Sequence, residues 1–347
     1  MKRKALPNIE NPLVGILASI PARLWHLDPH PLTIEDITRR DFLVRAGGLF
    51  LLAPYGCGGE ESGEDASSGE TRIVEHALGE TEVPVGPERI IDLDGLATDT
   101  LLALGIQPAG VPSPESLPPY VRNRLEETRS IGSTEEPDLE SLAALEPDLI
   151  LARQSDAEPV YDELSQIAPT VAAVYENEED WKEAHLKFSE ALGEAGEGER
   201  ILSDYELRTR ELGEAIGGGD EVSIVRPRPD TLRLYSGASF AGTVVRDAGF
   251  SVAPVPGLEE GEVLLDISRE RLGLADADAV FVWAYEGTPE DEEAAINDLL
   301  EDPLFQRLGA VQRGEVHEVG KHWLGLGPLA ASLILDDIEE HFLGESS

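Results

Sequence analysis

DLESLAALEPDLIL, residues 138–151, returns later in the chain as ISRERLGLADADAVFV, residues 267–282. Aligned on their glutamates, Glu140 falls on Glu270, Leu142 on Leu272 and Asp148 on Asp278, and Leu149, Ile150 and Leu151 fall on Ala279, Val280 and Phe281. Each copy reads as a short helix carrying Glu-x-Leu, a turn at Pro147 or Ala277, and an apolar run of strand length introduced by Asp. The run is continuous rather than alternating, the pattern of a parallel strand covered on both faces. A chain rich in Glu and Leu also produces such a pattern by chance. Read as a duplication, it predicts two similar α/β lobes.

Length and charge agree with that plan. The 347 residues exceed one ordinary domain and suit two lobes with appendages. Hydrophobic residues make up 41%, enough for real cores, while 69 Asp and Glu against 27 Lys and Arg leave a formal charge of -42. A surface of that sign repels phosphate backbones and anionic lipid headgroups, which argues against nucleic-acid binding and electrostatic membrane docking. Solvation in a salty or hot environment accounts for the charge without any partner.

The leader region carries export signals. TRRDFL, residues 38–43, fits the twin-arginine pattern, and the apolar LVRAGGLFLLAPYG that overlaps its end is too short to span a bilayer as a mature helix. Cys57, the single cysteine, closes this region and excludes an intramolecular disulfide. It opens GCGGEESGEDASSGE, a polar tract that cannot bury apolar surface and reads as a flexible tether. The arrangement resembles a bacterial lipoprotein signal, in which the cysteine is acylated and becomes the new N-terminus. Gly56 suits the cleavage point, whereas Pro54 and Tyr55 depart from the usual residues. Secretion without a lipid, or an uncleaved anchor, is the alternative.

Along the mature chain, residues 76–85 read as an edge hairpin and residues 89–93 as a strand. A helix follows over about 97–104, then a strand over 106–111 and a Pro-rich loop over 112–119. This succession predicts a right-handed βαβ arrangement. Residues 181–216 read as helical with a break near 193–198, and Ile201, Leu202, Tyr205, Leu212 and Ile216 share one face of the second piece. Such a helix, roughly 30 Å long at 1.5 Å per residue, reaches from one lobe to the other. Strands at 222–226 and 232–235, a helix at 243–248, a strand at 314–319 and a helix at 329–343 complete the second half. The organisation is an N-terminal extension (1–38), an export signal (39–57), a tether (58–75), an N-terminal lobe (76–196), a linker helix (197–217) and a C-terminal lobe (218–347).

HALGETEVPVGPERIIDLDGLATDTLLALGIQPAGVP, IGSTEEPDLESLAALEPDLILA, YDELSQIAPTV, VSIVRPRPDTLRLYSGASFAGTVVRDAGF, ISRERL and HWLGLGPLAASLILDDI follow one another in the order and spacing of a known family. Together they resemble the substrate-binding proteins of iron-siderophore ABC importers, over nearly all of the mature chain. The resemblance implies two Rossmann-like lobes with parallel sheets, joined by one rigid helix, with a ligand cleft between them and modest closure. It also implies that one glutamate per lobe, Glu140 and Glu270, docks into arginine pockets of a permease dimer. A carboxylate on each lobe at a fixed separation reads both the charge and the two-fold geometry of such a partner. A monomer is expected.

Ligand groups in such a fold stand on loops after the strand ends. In a chain this poor in cations, arginines gather beside aromatics at those positions. Ferric siderophores bring their own iron ligands and many are anionic, so the protein supplies bidentate donors and aromatic faces rather than metal ligands. The candidates are Arg153, Arg226, Arg233, Tyr235, Ser239, Trp283, Tyr285 and Trp323, with no metal ligand and no resident cofactor beyond a lipid on Cys57. Of seven histidines only His322 falls near a cleft position, which disfavours a bare metal-ion site. Cobalamin or haem is the alternative ligand. An exported hydrolase is the alternative class, because GASFA at residues 237–241 approaches the GxSxG elbow, with Ala241 in place of the last glycine.

Overall fold

The computed structural model describes residues 70–134, 136–175, 177–259, 262–285 and 287–344; Cys57 and the export signals lie outside them. The chain opens with a hairpin of β1 (Thr71–His76) and β2 (Gly79–Pro84), turning at Gly79, whose φ of +131° suits glycine. It begins earlier than the expected hairpin and takes in the end of the expected tether. Val74 and Val83 point into the core while Ile73 stays in solvent. Ala77 N donates to Ala172 O at 3.0 Å, fastening the hairpin to the first lobe.

The first sheet is wholly parallel. It comprises β3 (Ile90–Asp92), β4 (Gly110–Val111), β5 (Arg129–Ser130), β6 (Leu149–Arg153) and β7 (Thr170–Ala173), in the order β5-β4-β3-β6-β7. The second sheet comprises β8 (Glu221–Pro227), β9 (Thr231–Tyr235), β10 (Ser251–Val252), β11 (Leu264–Ser268), β12 (Ala279–Val282) and β13 (Val316–Glu318). There β12 lies parallel between β8 and β13, β10 joins the start of β8 in parallel, and β9 and β11 add an antiparallel pair on the other side of β8. The strand runs expected at 106–111 and 314–319 shorten to two and three residues, because chain ends beyond the neighbouring strand have no ladder to join.

The sequence repeat is a repeat of physical roles. Strand β6 pairs with β3 in the first lobe, and β12 pairs with β8 in the second. Asp148 N donates to Arg89 O at 3.0 Å, and Asp278 N donates to Glu221 O at 2.8 Å. The two carboxylates act alike as well. Asp148 accepts Glu88 N and Arg89 N at 3.0 and 2.9 Å, and Asp278 accepts Glu221 N at 3.0 Å. Each Asp therefore ties the entry of its own strand to the entry of the neighbouring one. Leu142 and Leu272 are both fully buried, each anchoring its short helix to its lobe.

The linker helix runs over Ala195–Ile216, 22 residues, about 33 Å at 1.5 Å per residue. The preceding helix, Trp181–Leu192, ends at Gly193 with φ +82°, which accounts for the expected break. Leu202, Tyr205, Thr209 and Leu212 form the buried stripe of the linker helix. It packs against the terminal helix Pro328–Leu343, which also touches helices Gly95–Ala103 and Phe240–Asp247. One apolar core thus runs from Leu101 and Phe188 through Tyr205 and Phe240 to Phe281 and Ile334. This continuous packing behind the cleft opposes large hinge motions. No helix among the described residues is long and apolar enough to cross a membrane.

Candidate ligand cleft between the lobes

The carboxyl ends of the first-lobe strands place Asp94, Arg153 and Tyr175 together. Asp92 pairs with Leu151 and Arg153 with Ala173, so the residues just beyond those strand ends share one edge of the sheet. Asp94 caps helix Gly95–Ala103, its Oδ1 accepting Leu96 N at 3.1 Å. Arg153 donates through Nε and Nη2 to Tyr175 O at 3.0 and 2.7 Å, and its guanidinium lies 4.3 Å from the Tyr175 ring centre. Gln154, Ser155, Glu158 and Val174 complete a cavity of about 350 Å³ around this pair. Burial pushes the Asp94 carboxyl up to about 6, against the Leu96 amide and the Arg153 charge, which pull it down. Asp92, beneath it, is raised well above the usual carboxylate range by burial and by Asp94.

The second lobe contributes arginines crossing an antiparallel ladder in which Arg226 faces Arg233 and Arg233 faces Asp266. Arg226 is buried, with Nη1 3.4 Å from the Tyr235 hydroxyl and its guanidinium 5.3 Å from the Trp283 ring. Tyr235 and Trp283 lie 5.5 Å apart. Arg233 forms a fork on Asp266, Nε to Oδ1 at 2.7 Å and Nη2 to Oδ2 at 2.8 Å. That pairing raises the arginine's pKa and lowers the aspartate's. Burial raises the Tyr235 phenol while Arg226 and Arg233 draw it back. Arg228 lines a neighbouring cavity of about 380 Å³ with Pro229, Arg269, Asp291 and Glu292.

The lobes meet across a groove of about 330 Å³, walled by Glu115, Ser116 and Arg122 on one side and Tyr285, Glu292 and Lys321 on the other. The Tyr285 hydroxyl donates to Ser116 O at 2.6 Å, which brings the expected aromatic and the Pro-rich loop together. Lys321 pairs with Glu292 at 2.7 Å and lies 5.2 Å from the Tyr285 ring centre.

Two candidates belong to the interior instead. The Ser239 hydroxyl donates to Ser236 O at 2.7 Å and accepts Gly242 N at 3.1 Å, so it caps the helix Phe240–Asp247. That helix starts earlier than expected because the capping serine defines its first turn. Trp323 is 2% exposed, lies with its ring tilted 4.5 Å from that of Phe281 and donates Nε1 to Asp337 at 2.7 Å. It serves the core, and His322 shares the same carboxylate at 2.7 Å. Trp283 is fully buried as well, but its neighbours are Arg226 and Tyr235. Among the described residues no group of three or more His, Cys, Asp or Glu is arranged to hold a metal ion.

Glu140 and Glu270 are both exposed in the first turn of their short helices. Asp138 caps the first helix, accepting Glu140 N and Ser141 N at 3.1 Å. The Ser268 hydroxyl holds the Glu270 carboxyl below its ordinary pKa. Sequence reading missed Tyr175 and Glu178, which no motif marks, and it placed residues 94–99 on the cleft, whereas Asp99 is buried on the amides of Leu329 and Ala330.

Two α/β lobes, a helical linker and a polar, aromatic-backed cleft define a bilobed solute-binding protein. Residues 90–322 match the family described as periplasmic binding protein. The chain belongs to that family and, within it, to the iron-siderophore substrate-binding proteins. It is 32% identical over 315 residues to the probable siderophore-binding lipoprotein YfiY of Bacillus subtilis, covering 85% of this chain and 96% of that one. The achromobactin-binding periplasmic protein of Dickeya dadantii is 34% identical over 265 residues, covering 73% and 85%. The crystal structure of Staphylococcus aureus SirA complexed with staphyloferrin B superposes with a TM-score of 0.66 at 27% identity, covering 78% of this chain and 98% of that one.

Proposed function

We propose that this protein is the exported solute receptor of an ABC importer, which captures an anionic ferric siderophore between its lobes and hands it to a membrane permease. The observation that carries the reading is Arg226 set among Tyr235 and Trp283 on one lobe while Arg153 stands over Tyr175 on the other. Guanidinium groups backed by aromatic faces neutralise and orient a bulky anion whose iron is already chelated. The siderophore receptors among its relatives support the same ligand class.

Glu140 and Glu270, one on each repeat, are the permease contacts in this reading. Their matching first-turn positions and exposure leave both carboxylates able to meet arginines on a two-fold partner. Cys57 carries the lipid that keeps the receptor at the membrane surface, as the lipoprotein name of one relative suggests. Binding without turnover fits the commitment of Ser239 to a helix cap.

Titration of intrinsic tryptophan fluorescence with ferric citrate, ferric hydroxamates, ferric catecholates, cobalamin and haem tests the reading. Saturable quenching by a ferric siderophore and by neither macrocycle is expected. Quenching by cobalamin or haem alone would reassign the ligand, and no response to any of them would refute the receptor function.

A further inference from the structure

The Pro-rich loop after β4 carries a short strap, Pro114–Leu117, that reaches the second lobe. At its base Ser113 holds φ +39° and ψ 60°, left-handed values that a residue with a side chain adopts at a cost. Two bonds to one carbonyl keep it there, Ser113 N and Oγ donating to Gly132 O at 2.9 and 3.2 Å. None of the four strap residues is buried. Arg122 Nη1 donates to Glu115 O at 3.2 Å from the same lobe, and the Tyr285 hydroxyl donates to Ser116 O at 2.6 Å from the other.

Just past the strap the lobes are fixed more firmly. Tyr120 donates to the buried Asp99 at 3.1 Å, and its hydroxyl leaves no room for a side chain at Gly325 of the second lobe, where a Cβ would come within 2.5 Å. Asp99 in turn takes the Leu329 and Ala330 amides. The part left to move is the strap, and it forms one wall of the groove completed by Tyr285, Glu292 and Lys321. That groove borders the ligand cleft on both lobes. Tyr285 stands two residues beyond Trp283, whose ring flanks Arg226. Strand β4 lies two strands from β6, which ends in Arg153, a separation of about 10 Å.

We propose that the strap is a gate at one end of the ligand cleft and that Tyr285 is its latch: the phenol holds the strap shut through Ser116 O, and a ligand enters and leaves when that bond opens. Lys321, paired with Glu292 and 5.2 Å from the Tyr285 ring centre, steadies the ring in place. A latch that must open in both directions slows arrival and departure by the same factor, whereas a ligand contact slows departure alone. The consequence for ligand exchange rests on the receptor reading; the latch between the lobes does not.

Tyr285→Phe keeps the ring and removes the donor. In stopped-flow tryptophan quenching with ferric citrate, the association and dissociation rate constants are expected to rise together by about 3- to 10-fold, the worth of one hydrogen bond. Rates equal to those of wild type would reduce the bond to a surface tie and overturn the proposal. Faster dissociation with unchanged association would make Tyr285 a ligand contact and overturn it as well. A second arm needs no ligand. The Ser116 amide, bonded to Ser113 O at 2.8 Å, is expected to exchange its hydrogen about 3- to 10-fold faster in Tyr285→Phe, while the Leu329 amide on Asp99 keeps its rate. Unchanged exchange at Ser116 refutes the latch, and faster exchange at Leu329 too would mean that the lobes part as a whole, which refutes the strap as the moving part. A wild type that does not bind ferric citrate counts against the receptor reading, and the exchange arm then decides the latch.

Discussion

Asp99 offers a sharp test of how the lobes are held. It sits, fully buried, on helix Gly95–Ala103 and receives the N-terminus of the terminal helix: Oδ1 accepts Leu329 N at 2.7 Å and Oδ2 accepts Ala330 N at 3.2 Å. The Tyr120 hydroxyl donates to Oδ2 at 3.1 Å. Burial pushes the carboxyl up to about 7, against the pull of these donors. In the unfolded chain the group titrates near ~3.9. The folded protein therefore binds this proton more tightly, and the stability contributed is fully present below the unfolded value and lost as pH rises through about 7. About two units of that gap lie between about pH 5 and about pH 8, and at ~1.4 kcal/mol per unit the loss is about 3 kcal/mol.

Asp99→Asn removes this titration while nearly keeping the shape. The net charge of -42 adds its own pH slope through self-repulsion, so the informative quantity is the difference between variant and wild type at each pH. Urea unfolding at about pH 5 should show the variant less stable, because an amide NH₂ turns two hydrogens toward these donors where the protonated carboxyl turns one. At about pH 8 the gap should have moved in the variant's favour by about 3 kcal/mol. A gap that stays constant within ~0.5 kcal/mol across that range would refute the assignment of a raised Asp99 pKa.

Further outcomes follow from the same geometry. Replacing Glu140 and Glu270 together by Ala should abolish uptake by cells while leaving the ferric-siderophore affinity of the purified protein unchanged; a fall in affinity would place them in the cleft. Trp283→Phe should remove most of the ligand-dependent quenching, because this indole lies 5.3 Å from Arg226. Trp323→Phe should keep the quenching and lower stability by about 1–3 kcal/mol through the lost bond to Asp337. Ser239→Ala should cost about 1 kcal/mol in a thermal melt as a lost N-cap, with ligand affinity unaltered; loss of binding would return Ser239 to the cleft.

The sequence alone carried the two-lobe plan, because that plan is written in local patterns. Continuous apolar runs mark the covered parallel strands, a one-faced stripe marks the linker helix, and Asp148 and Asp278 announce the equivalent strand entries that both lobes use. Placing Tyr285 opposite the Pro-rich loop was also within reach, since both follow strand ends. Tertiary structure alone decided how each polar side chain is occupied. Arg233 is forked on Asp266 across a strand pair, Trp323 is drawn into the core by Asp337, and Ser239 is taken up by its own helix. Glu178 and Asp99 find their amide partners 62 and 230 residues away. Local propensity has no access to such distances: whether an arginine or a carboxylate waits for a ligand or serves the fold depends on which partner the packing brings within hydrogen-bond reach.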